Sequence, residues 1–198
     1  MKQQPIQLSV ITATRNRPAQ LAHCLHQFHR QSPGNLNCEQ IIVSDGKDPT
    51  AKLLAKHWGA RFFELPEPRG HAGAFAKDFG IQQARGEFVC FWDDDNIYEP
   101  HALATLFATA LGNDIGVVRT RHRLRVRNQL TTLPRHWSGA FRPGDVDTMC
   151  VAVKRELALK ESWGDDHPPP GTDFRWLQKL EAHQPRIRYV PVRIGYHL

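Results

Sequence analysis

Two kinds of run alternate along this chain. Short β-prone apolar runs end abruptly on polar residues, and each is followed by a stretch whose apolar positions recur three and four apart. Residues 6–13 form the first apolar run, which ends in Thr14-Arg15-Asn16-Arg17-Pro18. A helix opens at Asn16 or Arg17 with Pro18 in its first turn, where a missing N–H is harmless. Leu21, Cys24, Leu25 and Phe28 give that helix one buried face, and Ser32-Pro33-Gly34 stops it. Residues 40–44 are a second buried strand ending in Asp45-Gly46-Lys47-Asp48. Asp48-Pro49 starts a helix with Leu53, Leu54 and Trp58 as its apolar positions and Gly59 as its C-terminal cap. Residues 61–65 are a third strand. A loop rich in Pro and Gly, 66–73, precedes a helix over 74–84. A fourth strand then runs through Phe88-Val89-Cys90-Phe91 into Asp93-Asp94-Asp95, and Pro100 begins a helix that Gly112 ends.

Strands alternating with helices predict an α/β fold, a mostly parallel sheet with helices on both faces. After residue 115 the pattern changes. Residues 115–118 read as a strand, and 122–127 alternate, with Leu124 and Val126 on one face and Arg123, Arg125 and Arg127 on the other. Residues 148–153 form another strand, followed by a short helix through Leu159. Residues 172–183 read as a helix with Phe174, Leu177 and Leu180 on its apolar side, and 187–194 as a closing strand before Gly195-Tyr196-His197-Leu198. No internal repeat interrupts this order, and a chain of 198 residues fits one domain.

Composition narrows the class. Hydrophobic residues make up 40% of the chain, enough for a core. The longest uncharged apolar run, 102–112, is too short to cross a bilayer. The first residues hold one Lys and polar Gln rather than an apolar leader. A soluble cytoplasmic protein is the expectation. Cys24, Cys38, Cys90 and Cys150 are scattered with no C-x-x-C pair, which argues against a zinc cluster or a disulfide scaffold. The net charge of +6 favours an anionic partner without choosing among nucleotide, phosphosugar, nucleic acid and membrane surface.

In parallel α/β sheets, ligands sit beyond the carboxyl ends of the strands. Arg15, Asp45 and the Asp93–Asp95 cluster all fall at such ends. Three adjacent carboxylates repel one another, and a hard divalent cation such as Mn²⁺ or Mg²⁺ offsets that repulsion while sharing oxygens with substrate phosphates. The alternative is a solvated acidic loop. The arginines at 119, 121, 123, 125 and 127 are either a solvated hairpin face or a dock for an anionic acceptor. Asp145 and Asp147, ahead of the 148–153 strand, are candidates for contacting acceptor hydroxyls.

Val10–Arg17, Ile41-Ile42-Val43-Ser44-Asp45-Gly46, residues 73–81 followed by Ala84-Arg85-Gly86-Glu87, and Phe91-Trp92-Asp93-Asp94-Asp95 occur in this order. Together they resemble the inverting family 2 glycosyltransferases of the GT-A fold, a Rossmann-like architecture. The likeness covers nearly the whole chain as one domain. It implies a nucleotide-sugar-binding half over 1–114 and an acceptor-binding and catalytic-base half over 115–198. It also implies transfer of a sugar from a nucleotide-sugar, a UDP-sugar, to a hydroxyl on a glycan, lipid-linked or small-molecule acceptor, with an anionic acceptor and peripheral membrane contact as further expectations and no nucleic-acid partner. Asp95 would ligate Mn²⁺ or Mg²⁺ directly, Asp93 would lie nearer the ribose or bind through water, and Asp94 would belong to the nucleotide site. Asp45 would accept the imide N–H of a uracil ring, with Thr12, Thr14, Arg15 and Arg17 lining the same pocket. His71 and Gly73 would bring the loop up to the nucleotide, and Lys77 would meet phosphate or sugar hydroxyls. Asp173 would be the general base, with Asp165 or Asp166 as the alternative, and His197 a third metal ligand. The chain departs from the family pattern at Asp78, where Asn is usual, and at Thr172-Asp173, where Glu-Asp is usual. It also lacks the Q-x-x-R-W motif of processive synthases, so a non-processive enzyme is the closer comparison. Two rivals have different chemistry. A nucleotide-sugar-forming nucleotidyltransferase would carry a Gly-rich first loop, and 13–17 contain no glycine. A nucleic-acid-binding module would have no use for the acidic cluster.

Overall fold

The computed structural model describes residues 4–32, 34–124, 129–164 and 171–198. The first-half strands β1 (Leu8–Thr14), β2 (Cys38–Ser44), β3 (Arg61–Glu64) and β4 (Phe88–Phe91) lie side by side and parallel in the order β3-β2-β1-β4. β1 and β4 are buried on both faces, which explains why they read as unbroken apolar runs. The second half supplies β5 (Ile97–Tyr98), β6 (Ile115–Leu124), β7 (Gln129–Leu133), β8 (Val151–Lys154) and β9 (Ile187–His197). These continue the same sheet as β4-β8-β6-β9-β5, with β7 paired on β6. β8 is antiparallel to both β4 and β6, and β9 is parallel to β6. Among the described residues, six of the nine strands therefore run in one direction, and the sheet is mostly parallel as expected.

The helices are α1 (Pro18–His29), α2 (Pro49–His57), α3 (Ala74–Gln83), α4 (Ala102–Ala110), α5 (Arg155–Ala158) and α6 (Thr172–Glu181). Strand alternation sends Ile11, Val89 and Phe91 into one core with Ile81 of α3 and Trp176 and Leu177 of α6. Val10, Phe88 and Cys90 enter the opposite core, against Leu103 and Leu106 of α4. Helices thus cover both faces. Among the described residues no helix is long and apolar enough to cross a membrane, and all four cysteines are free.

Several local expectations change. Leu53 is 69% exposed, while Leu54 and Trp58 pack as expected, partly buried, on the cluster where α2 also buries Ala51 and Ala55 against Leu21 and Leu25 of α1. A short helix lying on another is oriented by its small residues, which permit close approach. The apolar stripe of α6 includes Trp176, whose ring stacks on Trp163 at 4.3 Å, while Phe174 is only partly buried. Residues 148–150 form a 3₁₀ turn, because the Asp147 side chain accepts the Met149 N–H at 2.8 Å, and β8 begins only at Val151. Residues 115–118 and the start of the alternating run are one strand, β6.

Candidate functional site

β1, β2, β4, β6 and β9 end at one edge of the sheet. β8 starts at that edge because it runs the other way. A cavity of about 360 Å³ opens there. Ala13, Thr14, Arg15 and Arg17 line it from the end of β1, Asp45 from the end of β2, Asp93, Asp94 and Asp95 from the loop after β4, and His197 from the end of β9. Elements spread along the chain converge here because parallel strands bring their carboxyl ends together.

The acidic loop is partly neutralised by the protein itself, with Arg17 and Lys77 set against its three carboxylates. Asp94 is 2% exposed; Thr14 Oγ1 donates to its Oδ2 at 2.6 Å and Arg17 Nη1 to its Oδ1 at 3.1 Å. Burial pushes its carboxyl up against those contacts. The same Arg17 nitrogen reaches Asp95 Oδ2 at 3.0 Å. Lys77, in the first turn of α3, places Nζ 3.1 Å from Asp93 Oδ1. Its burial alone would lower its pKa, but Asp93, Asp173 and Asp147 outweigh that and raise it. Asp93 shifts in the complementary direction: burial would raise it, and Lys77, His197 and Arg17 bring it down. Lys77 is thus a buried counter-ion to Asp93 beside the cavity. Asp94 belongs to the wall, while Asp93 and Asp95 remain 30% and 44% exposed toward the cavity.

Asp45 serves a loop. Its two oxygens accept the Arg69 and Gly70 N–H groups at 2.7 and 2.8 Å, and Arg15 lies 3.7 Å away. The clamp holds Gly70, Ala72 and Gly73 against the cavity. Gly73 has φ +76°, and a Cβ there would lie 2.8 Å from the Ala13 methyl, so the close approach of this loop to β1 requires glycine. His71 does not line the cavity; its ring packs edge-on against Phe75 at 5.4 Å. Thr12 does not line it either. It is buried against Cys24 Sγ at 3.8 Å, two residues and roughly 6.6 Å short of the strand end.

A second group adjoins the first. Asp173, in the first turn of α6, accepts from Thr148 Oγ1 at 3.2 Å and from the Thr148 N–H at 3.4 Å. Asp147 Oδ2 lies 3.9 Å from His122 Nε2 and 3.8 Å from His197 Nε2. The two imidazoles stack at 4.2 Å. Burial, then neighbouring Asp173 and Asp93, push the Asp147 carboxyl up to about 6 against the pull of His197 and the Met149 N–H. Lys77 feels Asp93, Asp147 and Asp173 together, so it joins the two groups. Asp145 is not part of this group; its carboxylate holds Arg135 through the backbone N–H at 2.8 Å and Nε at 2.9 Å. Asp165 and Asp166 lie outside the described residues, as do Arg125 and Arg127. By strand alternation Arg119, Arg121 and Arg123 fall on the face of β6 opposite Thr120 and His122.

The apolar pattern does not single out His122, and it offers Asp147 only as an acceptor contact. The signal for Asp147 is the antiparallel direction of β8, which pattern alone does not reveal. His122 reaches the edge beside β9, which advances ten residues from Ile187 to His197 while β6 advances seven from Ile115 to His122. Asp78 ties a loop to α3. Its carboxylate accepts Ser162 Oγ, the Trp163 N–H and the Gly164 N–H, at 2.7, 2.5 and 2.6 Å. A carboxylate accepts all three, whereas an amide would present a donor to one of them.

The donors facing the cavity fit a divalent cation. Asp93 and Asp95 each pair one oxygen with Lys77 or Arg17 and keep a second outside those pairs, and His197 Nδ1 is buried with no hydrogen-bond partner. Two carboxylates and an imidazole suit Mn²⁺, and the carboxylates alone suit Mg²⁺.

Comparison with known proteins agrees with this architecture. The sequence profile described as Glycosyl transferase family 2 matches residues 9–156. EpsH of Bacillus subtilis (strain 168), which carries a glycosyltransferase name, is 30% identical over 106 residues, covering 52% of this chain and 30% of EpsH. The uncharacterized glycosyltransferase YibD of Escherichia coli (strain K12) is 28% identical over 114 residues, 57% of this chain and 33% of YibD. The chain therefore spans about a third of the length of these curated relatives. The crystal structure of S. aureus TarS residues 1–349 superposes with a TM-score of 0.76 at 16% identity, over 96% of this chain and 60% of that one, and the same protein has been crystallised with UDP-GlcNAc. The mannosyltransferase PcManGT from Pyrobaculum calidifontis, in complex with GDP-Man and Mn²⁺, gives 0.71 at 19% identity, over 99% of this chain and 57% of that one. These superpositions establish the GT-A fold.

Proposed function

The chain belongs to glycosyl transferase family 2, and on that premise we propose that it transfers a sugar from a nucleotide-sugar to a hydroxyl acceptor with inversion at the anomeric carbon. The observation that carries the reading is the convergence of two carboxylate groups on one lysine. Lys77 pairs with Asp93 at 3.1 Å and lies in the field of Asp173 and Asp147. The donor cavity and the candidate base thus adjoin.

In this scheme residues 1–114 hold the donor. Arg15 and Arg17 offer positive charge to the diphosphate, and the clamped loop at 70–73 closes the nucleotide side. Asp93 and Asp95 would hold Mn²⁺ or Mg²⁺, with His197, which lines the same cavity and acts on Asp93, as a third ligand. When bound, the cation offsets charge developing on the leaving diphosphate. Residues 115–198 present the acceptor and the base. Asp173 takes the proton of the acceptor hydroxyl. That oxygen forms the new bond to the anomeric carbon from the face opposite the diphosphate, and the bond from that carbon to the phosphate oxygen breaks. Thr148 holds the Asp173 carboxylate for this step.

A uridine nucleotide is the expected donor. TarS has been crystallised with UDP-GlcNAc, whereas the Pyrobaculum mannosyltransferase was crystallised with GDP-Man, so the test spans both bases. A thermal-shift panel of UDP- and GDP-sugars with and without Mn²⁺ should give a metal-dependent rise of about 5–10 °C at a hundredfold excess over Kd. Absence of response to every nucleotide-sugar would overturn the reading. Asp173→Asn should lower kcat by about 10²–10⁴ with nucleotide-sugar binding unchanged; undiminished turnover would remove Asp173 from the mechanism.

A further inference from the structure

Neither donor binding nor the candidate base accounts for the arginines along β6. The strands β6, β7 and β9 together carry five arginines and no Asp or Glu. Val117 packs in the core with Trp176 and Leu177 of α6. Alternation therefore sets Arg119 and Arg121 on the side of the sheet where α6 packs, farther along β6 toward the edge where the cavity opens. The first turn of α6 holds Asp173, so this face adjoins the helix of the candidate base. In the register with β9, Arg119 is paired with Arg193 and Arg121 with Tyr196, the residue before His197 of the cavity wall.

A solvated hairpin face explains these charges poorly. Charges that guard a sheet against stray pairing belong on its edge strand. Among the described residues β7 pairs with β6 alone and carries no charge, while the arginines lie one strand in. Arg119 and Arg193 stand directly opposite each other, a like-charge pairing that destabilises a sheet. The Arg193 guanidinium leans over Tyr196, 5.2 Å from the ring centre, and is 3.9 Å from Glu99, beyond hydrogen-bond reach. Arg119 Nε and the Tyr189 hydroxyl are closed off from solvent and have no hydrogen-bond partner, so water does not satisfy them either. The Arg119 guanidinium sits 5.8 Å from the Tyr189 ring centre, with Nη2 at the long distance of 3.5 Å from the Arg135 carbonyl. The Arg121 side chain has no hydrogen-bond or ionic partner among the described residues. Trp137, partly buried, stacks on Tyr189 at 5.6 Å and adds an aromatic surface beside the two arginines.

We propose that Arg119 and Arg121, with Arg193 beside them, bind a phosphate group carried by the acceptor, so that the acceptor is a phosphorylated sugar. An anion on this face gives the two guanidinium groups the partner they lack and relieves the Arg119–Arg193 pairing. A phosphomonoester brings a charge of about −1.5 to −2 and three acceptor oxygens, against a single charge on a sugar carboxylate. Guanidinium forks on residues roughly 6.8 Å apart along one strand can converge on such a group. The Trp137 indole suits the apolar face of a sugar ring next to it. The role of the bound molecule as acceptor rests on the transferase reading; phosphate binding at this face does not.

Titration of the ¹⁵N-labelled chain with glucose 6-phosphate tests it, read by the Nε–H resonances of arginine, with Arg119→Lys and Arg121→Lys identifying the two signals. Both signals should move saturably with glucose 6-phosphate and stay in place with glucuronate at equal ionic strength. Combining Arg119→Gln with Arg121→Gln should weaken glucose 6-phosphate binding by about tenfold or more. Signals that do not move, an equal response to glucuronate, or undiminished affinity in the folded double variant would overturn the proposal. Should the double variant fail to fold, Arg121→Gln alone and the spectra of the unaltered chain still decide. Tight binding of an RNA oligonucleotide at near-physiological salt, lost in the same variants, would assign the face to nucleic acid and overturn the proposal as well. Thermal shift with UDP- and GDP-sugars, run in parallel, separates the two readings. A nucleotide-sugar response without movement of the arginine signals would overturn this proposal alone. Movement without any nucleotide-sugar response would leave a phosphosugar site and overturn the transferase reading.

Discussion

A lysine buried to 4% exposure pays a desolvation penalty that only nearby carboxylates offset, and Lys77 has Asp93 at 3.1 Å with Asp173 and Asp147 close by. Lys77→Met removes the counter-ion and leaves these acids facing one another. Loss of stability should approach, without reaching, the about 3–5 kcal/mol of breaking a fully buried pair, because Asp93 stays partly open to the cavity. Urea unfolding measures it, and an unchanged midpoint would contradict the counter-ion role. The position of this lysine, one turn into the helix after the Pro/Gly loop, is plain in the sequence, but its burial is not. A lysine at a helix start is ordinarily solvated, and only α3 packing on the sheet beside Trp163, 4.9 Å from Nζ, encloses it. Asp45 teaches the same lesson. Its place at a strand end follows from the pattern, while its two backbone partners follow from how residues 66–73 fold back.

Two short segments aim the site. β5 lies so close to β9 that a Cβ on Gly195 would come within 2.1 Å of the Ile97 carbonyl oxygen. Gly195→Ala must push the strands apart beside His197, at a cost of about 1–3 kcal/mol. The melting temperature should fall with it, and a variant with native Tm would refute this account. The second segment is residues 162–164, tied to α3 by the three hydrogen bonds to Asp78. Asp78→Ala leaves two part-buried backbone N–H groups without this acceptor, at a cost of up to about 1–3 kcal/mol each. Limited proteolysis should then cut near residues 162–164 faster than in the parent chain. The spacing of apolar residues locates α3 and α6, but nothing in that spacing links Asp78 to residues more than eighty positions away. The β9 bulges are likewise absent from the pattern, although Pro191, which has no N–H to donate to the ladder, lies among them.

The sheet as a whole decides which residues meet. β8 runs against its neighbours, so the loop that precedes it arrives at the edge where the parallel strands end, bringing Asp147 to His122 and His197. The same loop carries Asp145, whose contact with Arg135 braces residues 133–147. Burial would raise the Asp145 carboxyl, but the Arg135 N–H and guanidinium hold it below the ordinary carboxylate range. A depressed folded-state pKa gives stability that is fully present above the ordinary carboxylate pKa and lost as pH falls through the folded value. Asp145→Asn should therefore lower Tm by about 2–4 °C at neutral pH, for about 1 kcal/mol given the half-exposed arginine, with the gap closing in acid. A gap that widens in acid would contradict the assignment.

The order of elements, the burial of β1 and β4, the parallel first half and the chemical character of the cavity edge were determined by sequence alone. Each rests on local periodicity or on the abrupt change from apolar to charged residues at a strand end. The partners of Lys77, Asp45 and Asp78, the removal of Thr12 and His71 from the cavity, and the meeting of His122, Asp147 and His197 were decided only in three dimensions. They depend on strand direction, on bulges that shift register and on loops folding back, and these are set by packing between segments far apart in the chain.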